Sequence, residues 1–212
     1  MIGKYKHIIW DWNGTLLNDV DLCIDIINGI LAKRDLNVLS PMDYKRIFTF
    51  PVKDYYSNAG LDFTKETFEE LGTEWMDEYQ RRRDESCLYD GVTDILSYVK
   101  DNGTRQSVLS AYMQDTLEEI IEVLGLKSYF TYISGLDHIY AHGKVETGIE
   151  LIKKIGLKKD EIVLIGDTIH DYEVSQTIGA ECILVANGHQ SKERLLTCGV
   201  PVLDSLFDLK SI

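Results

Sequence analysis

Residues 7–19 read HIIWDWNGTLLND, and their first half decides the fold. The run 7–10 has strand length and two adjacent β-branched isoleucines, and it places a carboxylate, Asp11, where that strand would end. Gly14 and Thr15 follow at once, and an amide, Asn13, stands two residues beyond the carboxylate.

Runs of the same kind recur along the chain: QSVLSA (106–111), TYIS (131–134), EIVLIGD (161–167), ECILVA (181–186) and VPVL (200–203). Most are continuously apolar rather than alternating, the pattern of parallel strands covered on both faces. Helical stripes lie between them. Val92, Ile95, Leu96 and Val99 form one, stopped by Asn102-Gly103; Leu117, Ile120, Ile121 and Leu124 form another, stopped by Gly125. Residues 145–156 form a third. This alternation predicts an α/β fold, a Rossmann-like doubly wound parallel sheet with right-handed crossovers.

Residues 18–87 break the pattern, because they contain no convincing strand. Cys23, Ile26, Ile27, Ile30 and Leu31 share one helical face, Ser40-Pro41 reads as an N-cap followed by proline at the first helical position, and Pro51 opens another short helix. The segment around 64–85 makes a long helix. A helical block directly after the first strand predicts an inserted α-helical cap domain (18–87) over a core made of 1–17 and 88–212. Helices packed directly on the sheet are the alternative.

The chain has 212 residues, 44% of them hydrophobic and 27% charged, enough for a substantial core. A net charge of −13 argues against a nucleic-acid partner or an anionic membrane surface, but not against a small anion met by a local cation. Cys23, Cys87, Cys182 and Cys198 are scattered without a paired motif, so reduced thiols are expected. The N-terminal apolar run is too short for a signal peptide, and no later stretch reaches a membrane span, so a cytoplasmic protein, monomer or homodimer, is expected.

Ligands of open α/β sheets bind beyond the carboxyl ends of the strands. The residues found there are Asp11, Ser110, Lys144, Asp167 and Asp171. In the motifs DWNGT (11–15), SVLSA (107–111), GKVETGIELIKKIG (143–156) and VLIGDTIHDYEVSQTIGA (163–180), taken in this order, the chain resembles the haloacid dehalogenase superfamily, in its helical-cap, phosphoglycolate-phosphatase-like branch. The resemblance implies a phosphatase acting on a small phosphorylated metabolite through an aspartyl-phosphate intermediate. It makes Asp11 the nucleophile. Mg²⁺ would be held by Asp11, the Asn13 backbone carbonyl and Asp167, with Asp171 ordering the shell. Phosphate would be bound by Gly14, Thr15, Ser110, Ala111 and Lys144. These residue types suit the chemistry: a carboxylate can attack phosphorus, and an anionic nucleophile meeting an anionic substrate requires a cation, an ammonium and free amides around it. Asp171 could instead simply cap a helix over 172–179.

Asn13 departs from the family pattern, which has an aspartate that moves protons at this position. An amide can donate and accept hydrogen bonds but cannot exchange a proton near neutrality. Three outcomes remain open. The protein could be a slow phosphatase favouring activated leaving groups, it could use His170 as a substitute proton carrier, or it could bind a phosphorylated metabolite without turning it over. An unperturbed imidazole titrates near neutral pH, which suits His170; His138 and His142 are weaker candidates. A phosphonate-cleaving enzyme, using Lys33, Lys45 or Lys53 from the insert, is a more distant alternative.

Overall fold

The computed structural model describes residues 2–136 and 143–210. The first half of the chain forms β1 (His7–Trp10), β2 (Leu17–Asn18), α1 (Val20–Ala32), α2 (Pro41–Ile47), α3 (Val52–Asn58), α4 (Phe68–Arg82), β3 (Cys87–Leu88) and α5 (Val92–Asp101). The second half forms β4 (Arg105–Met113), α6 (Gln114–Val123), β5 (Tyr132–Leu136), α7 (Gly143–Ile155), β6 (Ile162–Gly166), α8 (Ile169–Ile178), β7 (Glu181–Val185), α9 (Lys192–Leu195) and β8 (Val202–Leu203).

Six strands make one sheet in the order β5-β4-β1-β6-β7-β8, and every pairing in it is parallel. The expected α/β sheet is therefore present, with β1 at its centre. Successive side chains of a strand point to opposite faces, and in β1 both faces are buried. Ile8 and Trp10 join a core with the stripes of α5 and α6, while Ile9 joins Leu151 of α7 and Val174 and Ile178 of α8. Fully burying a side chain of this size contributes about 1.5–3 kcal/mol, so a continuously apolar central strand is what a two-faced core demands. The run 106–111 extends further than its sequence suggests, to Met113, with a register shift between Leu109 and Met113. Ser110 sits in that irregular stretch.

Helices α1–α4 all lie between β2 and β3, which pair antiparallel through Leu17↔Leu88 and Asn18↔Cys87. The chain thus leaves and re-enters the sheet through one two-stranded stem. Local chemistry sets the helix starts. The Ser40 hydroxyl accepts from the Asp43 amide at 3.1 Å, with Pro41 as the first helical residue, and Thr67 and Glu70 form a reciprocal capping box. The insert has no separate core: Ile26, Ile27, Tyr44 and Leu71 belong to the same apolar cluster as Ile8, Trp10 and Val163. All four cysteines are free thiols. Among the described residues, no helix is long and apolar enough to cross a membrane.

Candidate active site

Asp11 is carried one residue past β1, and its amide still bonds to the Ile165 carbonyl of β6 at 2.8 Å. That bond fixes the carboxylate beside the end of the neighbouring strand, where Asp167 follows Gly166. Two glycines make the approach possible. Gly14 has φ +74°, and a Cβ there would lie 2.5 Å from both Asp167 Oδ2 and His189 Cδ2. A Cβ on Gly166 would collide with the Asp171 carboxyl group.

The carboxylates of Asp11, Asp167 and Asp171 are buried, with one oxygen from each lying within 4.8 Å of the others. Lys144, in the first turn of α7 and only 4% exposed, pairs with both Asp11 Oδ1 and Asp171 Oδ1. A cation is unfavourable at a helix N-terminus; here two carboxylates offset that. Burial alone would push the ammonium down, but Asp11 and Asp171 hold it above its ordinary value. Burial pushes the Asp11 carboxyl up, against the Lys144 charge, and the neighbouring Asp171 and Asp167 push it further. Asp167 is likewise raised by burial, with His189 opposing. Asp171 is also penalised by burial, yet Lys144 and Thr168 keep it below the usual carboxylate range. The Thr15 hydroxyl has a single proton and two carboxylate acceptors, Asp11 Oδ2 at 3.2 Å and Asp167 Oδ1 at 3.0 Å. Three carboxylates against one ammonium leave a formal charge of −2 in a buried pocket of hard oxygen donors. A divalent cation fits that set by charge and by donor type.

Asp171 is not the N-cap of its helix, as the simpler alternative had it, but takes part in the cap from inside the first turn. Thr168 is the N-cap of α8, and Asp171 is the third helical residue, its Oδ2 accepting from the Thr168 amide at 3.0 Å. The capping box fixes one carboxylate oxygen and leaves the other to Lys144. The expected phosphate nest at Gly14 and Thr15 needs correction. The Gly14 amide already bonds to the Leu17 carbonyl at 2.9 Å and to Asp19 Oδ1 at 3.0 Å, and the Thr15 amide bonds to the Trp12 carbonyl at 3.3 Å. The tight turn after Asp11 consumes these donors within itself.

Asn13 has a defined partner. Its Nδ2 donates to Asp19 Oδ2 and to the Tyr79 hydroxyl, both at 2.8 Å, and Tyr79 in turn donates to Asp19 Oδ2 at 2.8 Å. On the other side, His189 Nε2 lies 3.3 Å from Asp19 Oδ1, and His189 Nδ1 meets the Tyr44 hydroxyl at 2.9 Å. Burial works against both charges, but each supports the other. The Asp19 carboxyl is held below its ordinary value by His189, Asn13 and Tyr79, and His189 is raised by Asp19. The His189 amide also donates to Asp167 Oδ2 at 2.6 Å. Asp19 and His189 were missed in the sequence although signals existed. Asp19 closes the opening stretch, and His189 follows the run 181–186, whose end falls under the same strand-end rule that picked out Asp11 and Asp167.

A cavity of about 460 Å³ opens over these groups, lined by Asp11, Asn13, Ser110, Ala111, Lys144, Asp167, His170 and Asp171 on the sheet side. The Ser110 hydroxyl accepts from the Tyr112 amide at 3.1 Å, which leaves its own proton to offer. His170 meets Phe50 of the insert in a tilted ring contact, 4.8 Å between centroids, with Nδ1 3.6 Å from Glu173 Oε2. Tyr44 lines the cavity, whereas Lys45 donates to the Asn187 carbonyl at 3.1 Å and Arg46 pairs with Asp43. His138 and His142 lie outside the described residues.

The chain matches the haloacid dehalogenase-like hydrolase family over residues 8–185. Among curated relatives, a pyrophosphatase PpaX of Listeria monocytogenes is 27% identical over 186 residues, covering 83% of this chain and 81% of that protein. A phosphoglycolate phosphatase of Synechococcus elongatus is 20% identical over 209 residues, covering 96% and 95%. Among solved structures, a haloacid dehalogenase-like family hydrolase of Streptococcus pneumoniae superposes with a TM-score of 0.83 at 16% identity, over 100% of this chain and 99% of that one. A match that includes the ends of β1 and β6, where the carboxylates gather, places this chain in the haloacid dehalogenase-like hydrolase family.

Proposed function

We propose that this chain is a Mg²⁺-dependent phosphatase that hydrolyses a small phosphorylated metabolite through an aspartyl-phosphate on Asp11. The observation that carries the reading is the convergence of Asp11, Asp167 and Asp171 with Lys144 at the floor of one cavity. Mg²⁺ would be held by Asp11, Asp167 and the Asn13 carbonyl, with Asp171 ordering its shell, and would supply neutralisation of the phosphoryl charge. Asp11 attacks phosphorus, forming a carboxyl oxygen–phosphorus bond as the ester bond breaks. Lys144 and the Ser110 hydroxyl hold the phosphoryl oxygens, with Ala111 beside them. Water then releases phosphate and regenerates Asp11, and His170, in the cavity wall next to Asp171, receives its proton.

Asn13, committed to Asp19 and Tyr79, gives no acid to the leaving group. General acid–base help is worth about 10²–10⁴ in rate, so turnover is expected to be modest and best for leaving groups that depart unprotonated. The test is hydrolysis of acetyl phosphate and p-nitrophenyl phosphate with and without Mg²⁺, alongside Asp11→Ala. Metal-dependent turnover that vanishes in the variant supports the enzyme. Binding of a phosphate analogue without turnover supports instead a protein that senses a phosphorylated metabolite, a reading favoured by the fully occupied Asn13 amide.

A further inference from the structure

We infer that the substrate is an aryl phosphate with an uncharged ring, an inference that rests on the phosphatase reading and names its substrate class. The part of the cavity wall contributed by the insert is aromatic, with Tyr44, Phe48, Phe50, Tyr55, Trp75 and Tyr79 among its members, and its one charged side chain among the described residues is Asp19, which is paired with His189. The basic residues of the insert are turned elsewhere: Arg34 pairs with Glu66 and Glu74, Arg82 with Glu85, and Lys45 holds a backbone carbonyl. Lys144 is the one Lys or Arg among the described residues that line the cavity, and it is already shared by Asp11 and Asp171. Residues 137–142 contain neither Lys nor Arg.

Away from the Asp19–His189 pair, a leaving group bearing a carboxylate or a second phosphate would have to bury its charge against rings, which is costly without a partner. A planar apolar ring gains there instead, through area and ring–ring contact. Tyr55, which lines the cavity, also has a buried hydroxyl with no partner among the described residues. The chemistry agrees with the cavity. As the bond from Asp11 to phosphorus forms, the phosphorus–oxygen bond to the ring breaks and its electron pair leaves on the phenolate oxygen, which the ring stabilises without a proton from residue 13. Solvent protonates the phenolate afterwards. Water next attacks the aspartyl-phosphate, its proton passing to His170 or solvent, and phosphate departs with the Asp11 carboxylate restored.

The test uses the full chain with Mg²⁺ and compares kcat/KM for naphthyl phosphate, phenyl phosphate, phosphoglycolate and pyrophosphate, with acetyl phosphate as a reference too small to span the cavity. Naphthyl phosphate is expected to exceed phosphoglycolate and pyrophosphate by about 100-fold or more, and to exceed phenyl phosphate by filling more of the wall. Turnover of acetyl phosphate together with phosphoglycolate or pyrophosphate turnover equal to that of naphthyl phosphate overturns this inference alone. Turnover of none of the five, acetyl phosphate included, overturns the phosphatase reading beneath it as well.

Discussion

At the scale of single residues, Asn13 and Asp19 form one unit. Where an acid at position 13 would serve as proton carrier, this chain has an amide whose hydrogens go to a carboxylate six residues on and to Tyr79. Asn13→Asp would set two carboxylates against each other across the present 2.8 Å contact and leave the Asp19 oxygen short of a donor. Losing a buried hydrogen-bond partner costs about 1–3 kcal/mol, and urea denaturation should show a loss of that order. In Asn13→Asp combined with Asp19→Ser the clash is removed. Asp19→Ser leaves the buried His189 without its carboxylate, so stability should not return, but hydrolysis of simple alkyl phosphates should rise by about 10²–10⁴ over the unmodified chain. A double variant no faster on alkyl phosphates would show that residue 13 does not limit the leaving-group step. None of this was legible in the sequence beyond the substitution itself, because an Asn–Asp contact across a turn leaves no periodic trace.

At the scale of elements, β1 and the loops after β6 and β7 carry the site, and β1 also carries a pH dependence. His7 is fully buried, its Nε2 bonded to the Ser107 hydroxyl at 2.8 Å and its Nδ1 without a partner among the described residues. Burial first, and the Arg105 charge second, hold its imidazole down to about 4. The unfolded chain therefore binds a proton below about pH 6.5 that the folded chain refuses, so this stability is complete above that value and falls as pH drops towards about 4. At about pH 5 the loss attributable to His7 should be about 2 kcal/mol, read as the difference in acid sensitivity between the native chain and His7→Gln by urea denaturation. Parallel losses in both proteins would remove His7 as the cause. Elements of this kind were readable where apolar runs were continuous: β1, β6 and β7 fall on their runs because both faces are covered. The two-residue strands β2 and β3 were not, since a single antiparallel pair leaves no period to detect. The contact of the loop after β7 with the insert was equally hidden. There Gln190 and Arg194 both donate to the Phe48 carbonyl, and such side-chain-to-backbone bonds depend on tertiary placement alone.

At the scale of the whole molecule, the chain carries a net −13, and the centre of the site contributes three carboxylates against one lysine. The uncompensated charge should make the fold itself responsive to a divalent cation. Free Mg²⁺ at about 100 times its Kd should add about 2.7 kcal/mol, a rise in Tm of roughly 5–10 °C for a chain of this size. Calorimetry should show that shift in the native chain and a much smaller one in Asp167→Asn; an equal shift in both would place the cation elsewhere. The convergence of three distant segments on this centre was legible, because Asp11 and Asp167 lie just beyond apolar runs, Lys144 opens the helix after another, and strand ends in a parallel sheet share one edge. The aromatic wall was not, since its rings read in sequence as ordinary helix-packing residues. The most direct measurement is an acid-quenched single-turnover reaction with an aryl phosphate, followed by mass spectrometry of the peptide that contains Asp11. With an amide at residue 13 that cannot take the attacking water's proton and only His170 in that role, a burst of phenol equal to the enzyme present is expected, with one phosphoryl group on Asp11. Steady release without a burst, or a phosphoryl group on any other residue, would contradict Asp11 as the acceptor.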